Sequence, residues 1–351
     1  MRSVNIPRFF LVGHGLKARV AEIITTNNLH FENVLVLSDP TTFKIAGKEI
    51  ALQFDSAYDF MVPDNSRATV DMVSGMISEL SIDLVIGVGG GRVIDVGKFA
   101  SARSSVDFVS FPTSPAHDGI CSPIAVIMDK GHSQSLTAKM PIGLIADLDI
   151  ISKAPLRHIR AGLCDLLSNI TAVLDWKLAF NDGKDTFDSI AASLSTIYAD
   201  YFLHTTKHEF LSDEFFEKLV GGLVLSGVAM AIAGSSRPCS GAEHEISHSL
   251  DFLYPNRALH GEQVGIGIFV SAKLHSLDLS TFRSLYQRIG AASHYSELGF
   301  SRDELVKALL YAPKTRPDRY TILEKLNLDR QQAEKVIDSV FDDSFGKGKV
   351  S

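Results

Sequence analysis

The rhythm of hydrophobic and polar positions changes once along this chain, near residue 151. Before it, short apolar runs alternate with polar stretches of helical period. Arg8–Val12, Asn33–Ser38, Tyr58–Val62, Asp83–Val88 and Asp107–Phe111 have strand length, and Arg67–Leu80 between two of them has helical spacing. Strand, helix and strand at this distance predict a parallel sheet with helices on its faces. From Ser122 to Ile151, IAVIM, the turn Asp129-Lys130-Gly131, SLTAKM and IGLIADL predict a β-hairpin and one further strand.

Beyond residue 151 the strand patterns stop. Helical patterns cover Arg157–Phe180, Thr186–His208, Glu214–Ala233, Glu243–Leu253 and Gly261–Leu274. The pattern therefore predicts two domains, an α/β domain over 1–151 and an all-α domain over 152–351, and a cleft between two such domains is a common ligand site. Leu219–Ser236 is uncharged for 18 residues, the nominal length of a membrane span, but its four glycines and three serines predict a buried core helix.

Composition narrows the function. Of 351 residues, 45% are hydrophobic and 21% charged, as in an ordinary soluble protein. The net charge of −7 gives no support to binding of nucleic acid or of an anionic membrane surface, no membrane insertion is expected, and any anionic substrate needs a local positive feature. Cys121, Cys164 and Cys239 form no CxxC pair and suit a reducing cytoplasm. The apolar run in MRSVNIPRFFLVGHG is too short for a signal peptide, so a cytoplasmic protein is expected.

The candidate chemistry sits in Ser235–Gly265. His244 and His248, four apart, share one face of a helix, and His260 opens a second helix after a Tyr254-Pro255-Asn256 turn. Asp165, amid apolar neighbours at helical spacing, needs a partner or a cation. With His244 and His260 it makes an Asp/His/His set that leaves one coordination position open, as catalytic zinc requires. One buried carboxylate and two surface histidines is the alternative. The stretch also fits H-E-x-x-H, with His244 and His248 as ligands and Glu245 as a peptidase base. The long form of that motif wants Gly and His where this chain has Asp251 and Tyr254, and the short form has only Glu262 as a further acidic candidate.

A second candidate lies in the sheet half. Gly87-Val88-Gly89-Gly90-Gly91-Arg92-Val93-Ile94-Asp95 leaves a strand and enters a helix, where glycines and free N–H groups suit a phosphate, though a plain tight turn is the alternative. The turn Phe111–Gly119 leaves the next strand on the same edge of the sheet, where open α/β sheets bind ligands. Asp39, ending the second strand, suits either an adenosine ribose diol or a helix cap.

Taken together, PTTFKIAG, GVGGGRVIDVGK, FPTSPAHDGICSP, AGLCDLLSNITAVLDWKLA, SSRPCSGAEHEISHSLD and HGEQVGIG resemble the sn-glycerol-1-phosphate dehydrogenase family, within the wider group of glycerol dehydrogenases, iron-dependent alcohol dehydrogenases and dehydroquinate synthases. The resemblance implies an α/β N-terminal Rossmann-like domain plus an all-α C-terminal domain, with the active site in the interdomain cleft. It implies NAD or NADP contacted by Gly91, Arg92, Val93, Ile94, Asp95, Thr113, Ser114, Pro115, Ala116 and Ser122. It implies one Zn2+ per subunit on Asp165, His244 and His260, substrate contacts from Asp118, Asp165 and His248, and catalytic roles for Asp118 and His248. The implied reaction is reversible reduction of dihydroxyacetone phosphate to sn-glycerol 1-phosphate for archaeal-type ether phospholipids, in a homo-oligomer. For the substrate phosphate only Arg237 suggests itself. A glycerol dehydrogenase of the same fold is the nearer alternative reading, and the zinc peptidase the remote one.

Overall fold

The computed structural model describes residues 4–129 and 132–341. Its strands are β1 (Phe9–Gly13), β2 (Val34–Ser38), β3 (Ala57–Met61), β4 (Leu84–Gly89), β5 (Asp107–Pro112), β6 (Ile124–Asp129), β7 (His132–Thr137) and β8 (Gly143–Asp147). Six of them form one parallel sheet in the order β1-β8-β5-β4-β2-β3, while β6 and β7 pair antiparallel as a separate hairpin. Residues 130 and 131 of the expected hairpin turn lie outside the described residues.

Burial explains why these runs were visible. β2, β4 and β8 are buried along their whole length, so they read as unbroken apolar segments, as strands covered on both faces do. β3 is an edge strand, and it exposes Tyr58 and Asp59. Below the sheet, Val34, Val36, Leu84, Ile86, Val88, Val109 and Ile145 pack with Val20, Ile23 and Ile24 of the Val20–Thr26 helix. The β4–β5 register runs to Gly89↔Pro112, so the loops leaving these strands start side by side, and Thr113 N donates to Gly89 O at 3.0 Å.

The chain divides into two compact units, Met1–Gly162 with Leu211–Ser235, and Leu163–Phe210 with Ser236–Ser351. The boundary thus falls inside the Leu156–Asn181 helix and not at residue 151, and the Asp213–Ala233 helix, expected among the C-terminal helices, belongs to the sheet unit. The physical reason is local. Phe215, Phe216, Leu219, Val220, Leu223, Val224, Ala229 and Met230 are buried, and at Gly227 an added Cβ would lie 1.6 Å from Cys121 O, so the helix backbone rests directly on the short Asp118–Cys121 turn. The remaining helices lie close to where helical spacing puts them. The Thr186–His208 pattern shortens to Ser189–Phe202, because Asp188 caps Ile190 N and Ala191 N at 3.0 Å each.

Candidate active site

In the sheet unit, β4 ends at Gly89 and the Gly91–Ser104 helix starts at once, with Gly90 as its extended N-cap (φ −85°, ψ −173°). A Cβ added at Gly90 would meet nothing nearer than Ser114 Oγ at 4.0 Å. Open space in front of a helix N-terminus lined by free N–H groups is the geometry an anion takes. Arg92 is exposed on the first turn, but the Val93 and Ile94 side chains point into the core, and Ile94 N already donates to Gly90 O at 3.1 Å, so of these two only the Val93 N–H is open to a ligand.

Asp95 and Ser122 have structural work of their own. Lys98, fully buried, lies 3.1 Å from Asp95 Oδ1 and donates to Gly119 O at 2.6 Å and Ile124 O at 2.5 Å, with Ser122 Oγ at 3.4 Å. Asp95 Oδ2 also accepts from Val126 N at 3.1 Å. One ion pair therefore anchors the Gly119–Val126 backbone to the helix behind the glycine loop, and its burial is tolerated because every charge has oxygen or N–H partners. Ser114 and Pro115 are buried, Thr113, Ala116 and Asp118 half-buried, and Asp118 opens the short Asp118–Cys121 turn. Asp39 caps Thr41 N and Thr42 N through one oxygen, at 2.8 and 2.9 Å, so the cap reading of that residue holds.

In the second unit, three helices bring Asp165, His244 and His260 together, one ligand atom from each lying within 4.8 Å of the others. Asp165 lies on Leu156–Asn181, His244 on Ala242–Leu253, and His260 begins His260–Leu274. Two glycines of the last helix set the spacing. A Cβ at Gly267 would stand 2.6 Å from Glu243 O and 2.8 Å from Glu243 Cα, one residue before His244. A Cβ at Gly265 would stand 3.2 Å from Cys164 Cβ, one residue before Asp165.

The donor chemistry fits a tetrahedral divalent ion. The Nε2 atoms of His244 and His260 each lie 3.6 Å from Asp165 Oδ1. Donors about 2.0–2.1 Å from a tetrahedral zinc stand roughly 3.3 Å apart, close to these spacings. The other ring nitrogens are engaged: His244 Nδ1 meets Glu243 Oε1 at 3.1 Å, and His260 Nδ1 meets Ser247 Oγ at 3.1 Å. Such outer partners fix ring orientation and tautomer in metal sites, leaving Nε2 for the ion. Glu243 is itself held by Gly241 N at 2.6 Å and Thr171 Oγ1 at 2.8 Å, and Ser247 donates to Gln263 Oε1 at 2.9 Å. Burial would lower the His244 pKa, but hydrogen bonds to Asp165 and Glu243, and their charges, lift it to about 9. The site thus holds a positive charge strongly, and a metal would take the place of that proton.

His248 stands beside this trio, its ring centroid 6.4 Å from that of His244 and 6.1 Å from that of His260. Burial, then the nearby Arg316 charge, holds its pKa well below 6.5, and Arg316 Nη2 lies 3.3 Å from its Nε2. Glu245 faces elsewhere. It is buried, accepts from Thr321 Oγ1 at 3.2 Å, and is pushed up to about 9 by burial and the Glu324 and Asp175 carboxylates. A peptidase base must be ionised and beside the metal, so the H-E-x-x-H reading fails on both counts. Arg237, the residue suggested for the phosphate, is spent on Asp185 Oδ2 at 2.6 Å and Tyr320 O at 2.8 Å. Glu243 and Ser247 lie inside the SSRPCSGAEHEISHSLD segment, where helix spacing draws attention to the histidines and not to them, and Arg316 and Arg319 lie outside every motif of the family resemblance.

A family model described as iron-containing alcohol dehydrogenase matches residues 11–155. A glycerol-1-phosphate dehydrogenase (NAD(P)+) of Thermococcus sibiricus is 42% identical over 339 residues, covering 95% of this chain and 97% of its own. The chain belongs to the glycerol-1-phosphate dehydrogenase family. Another member, from Methanosarcina acetivorans, is 40% identical over 338 residues, covering 95% of this chain and 94% of its own. Solved structures share the fold at lower identity. Glycerol dehydrogenase of Schizosaccharomyces pombe aligns with a TM-score of 0.80 at 20% identity, over 97% of this chain and 90% of that one. A probable glycerol dehydrogenase of Sinorhizobium meliloti gives 0.79 at 19%, over 97% and 98%. The parallel-sheet and helical halves are therefore those of the family, as the sequence pattern and the motif resemblance predict.

Proposed function

We propose that this chain is an NAD(P)-dependent oxidoreductase that interconverts dihydroxyacetone phosphate and sn-glycerol 1-phosphate with one zinc ion held by Asp165, His244 and His260. The observation that carries the reading is the convergence of these three donors, with both imidazoles oriented through Nδ1, in a chain of this family. Held by Asp165, His244 and His260, a zinc ion would supply Lewis acidity toward the substrate carbonyl, and a bound nicotinamide would supply or accept the hydride.

The residues of the chain do the rest. Gly90 and the main-chain N–H groups of Gly91, Arg92 and Val93 would receive the cofactor phosphates, with Ile94 closing the first helical turn, Thr113, Ser114, Pro115 and Ala116 lining the neighbouring loop, and Asp95 and Ser122 helping to set the loop in place through Lys98. His248, neutral at physiological pH, hydrogen-bonds the substrate hydroxyl, and Asp118 holds a second substrate hydroxyl. Three free cysteines fit a cytoplasmic enzyme.

The test is oxidation of NADH and of NADPH by the purified chain with dihydroxyacetone phosphate, before and after chelation and zinc restoration, with chiral analysis of the product. Zinc-dependent formation of the sn-1 isomer is expected. Turnover that survives complete metal removal, or a preference for unphosphorylated dihydroxyacetone, contradicts the proposal.

A further inference from the structure

The acidic chain needs a local positive feature to hold a phosphate ester, and Arg237 is not available for it. The loop Thr315–Tyr320, which follows the short Ala312–Lys314 turn, brings two other arginines to the same unit as the metal donors. Arg316 Nη1 lies 3.4 Å and Arg319 Nη2 2.8 Å from one hydroxyl, Ser236 Oγ. Arg319 Nη1 also donates to Ser240 O. Two guanidinium groups thus converge on one point, and Arg316 links that point to His248.

Arg319, like Arg288, bonds hydroxyl and carbonyl oxygens rather than a carboxylate, but among the described residues Arg319 shares its hydroxyl with a second guanidinium and Arg288 does not. Among the described residues no carboxylate lies within ion-pair distance of Arg319. Arg19, Arg103, Arg257, Arg302 and Arg330 all sit on the surface against Glu22, Asp71, Glu304, Asp338 and Asp303. Arg319 is half-buried, where a guanidinium costs more to keep without an anion. Burial lowers its pKa to about 10, and repulsion from Arg316 and Arg237 adds to the fall, with Glu245 and Asp318 only partly offsetting it. A bound dianion would relieve both penalties. The planar fork of arginine suits phosphate geometry, and a fixed serine hydroxyl beside it can donate as well.

We propose that Arg319 and Arg316, with Ser236, form the subsite for the substrate's phosphoryl group, and that this subsite makes the enzyme prefer a three-carbon phosphate ester to the free polyol. The inference rests on the dehydrogenase reading for the identity of the ester, but not for the presence of an anion site. The path from this site to the metal donors runs through His248, whose ring stands about one imidazole away from both ligand histidines.

The test uses the zinc-loaded full chain with inorganic phosphate as probe. The parent should bind phosphate by calorimetry, and phosphate should compete with dihydroxyacetone phosphate in the assay. Arg319→Met should raise KM for dihydroxyacetone phosphate about 100-fold, the scale of lost charge-assisted hydrogen bonds, while kcat changes by less than about threefold. It should also lose phosphate binding, and Arg319→Lys should recover part of both. Zinc content and NADH binding report whether each variant is folded. Phosphate affinity and KM within about twofold of the parent in folded Arg319→Met would overturn the subsite. If Arg319→Met does not fold, Arg316→Met and Arg319→Lys decide: a shift in KM and phosphate affinity supports the site, and none in either refutes it. A parent that binds phosphate through Arg319 yet does not reduce dihydroxyacetone phosphate keeps the subsite and refutes the proposed substrate. A parent that reduces it while every folded arginine variant is unaffected does the opposite.

Discussion

Replacing Gly267 by Ala tests how the metal donors are positioned without touching any of them. The new Cβ would stand 2.6 Å from Glu243 O and 2.8 Å from Glu243 Cα, where ordinary contact begins at 3.4 Å. Both groups are backbone, so no side chain can swing away, and the two helices must separate by about 0.8 Å. Functional sites tolerate about 0.5 Å of displacement, and Glu243 is the residue that both precedes His244 and holds its Nδ1. We expect zinc affinity to fall about 10–100-fold, as when an outer partner of a metal ligand is lost. Overpacking should cost about 1–3 kcal/mol of stability. The assay is zinc competition against a chromophoric chelator, with thermal melting alongside. Gly75→Ala on the Arg67–Glu79 helix, where a Cβ meets nothing within 4 Å, is the control and should be neutral or slightly stabilising. A folded Gly267→Ala variant with zinc affinity within about twofold of the parent would refute the claim that this contact sets the donor spacing.

Other perturbations separate the remaining roles. Gly90→Val places its side chain in open space before the Gly91–Ser104 helix, so the protein should fold and its KM for NADH or NADPH should rise at least tenfold; unchanged cofactor affinity would reduce the loop to a turn. Glu245→Gln copies the protonated carboxyl that burial favours, so dehydrogenase turnover should stay within about threefold of the parent, and a large loss would mean the group acts as a base. His14 hydrogen-bonds Asp149 at 2.8 Å and Asp213 at 3.1 Å, and these contacts raise its pKa above 6.5. The small stability it contributes is therefore complete below pH 6.5 and lost as pH rises through the higher folded value, and an NMR titration giving 6.5 or less would contradict the arrangement.

How much of this was legible in the sequence depends on how local each cause is. β2, β4 and β8 could be read because they are buried on both faces, which leaves runs such as VLVLS and LVIGVG. The insertion of β8 between β1 and β5 could not, since strand order is decided by contacts between distant segments. Nor could the place of the Asp213–Ala233 helix, which turns on one glycine resting against a distant carbonyl. His244 and His260 were visible from helix spacing and a turn before His-Gly-Glu. Glu243 was hidden beside its own partner, because adjacent helix residues do not share a face. Arg316 and Arg319, in the polar stretch TRPDRY, look like solvated turn charges until the fold brings Ser236 to them. Arg237 lies inside a family motif, but its charge is committed to Asp185, a pairing between segments 52 residues apart that no local pattern displays.

The most direct test of the account is the metal content of three single variants purified in parallel and measured by elemental analysis. Asp165, His244 and His260 are the proposed ligands, and His248 stands outside them. His260→Ala and His244→Ala should each lose bound zinc, because a catalytic site has only three protein ligands to begin with. His248→Ala should retain one zinc per chain and lose most of its turnover with dihydroxyacetone phosphate. Zinc retained in His260→Ala and lost in His248→Ala would contradict the assignment.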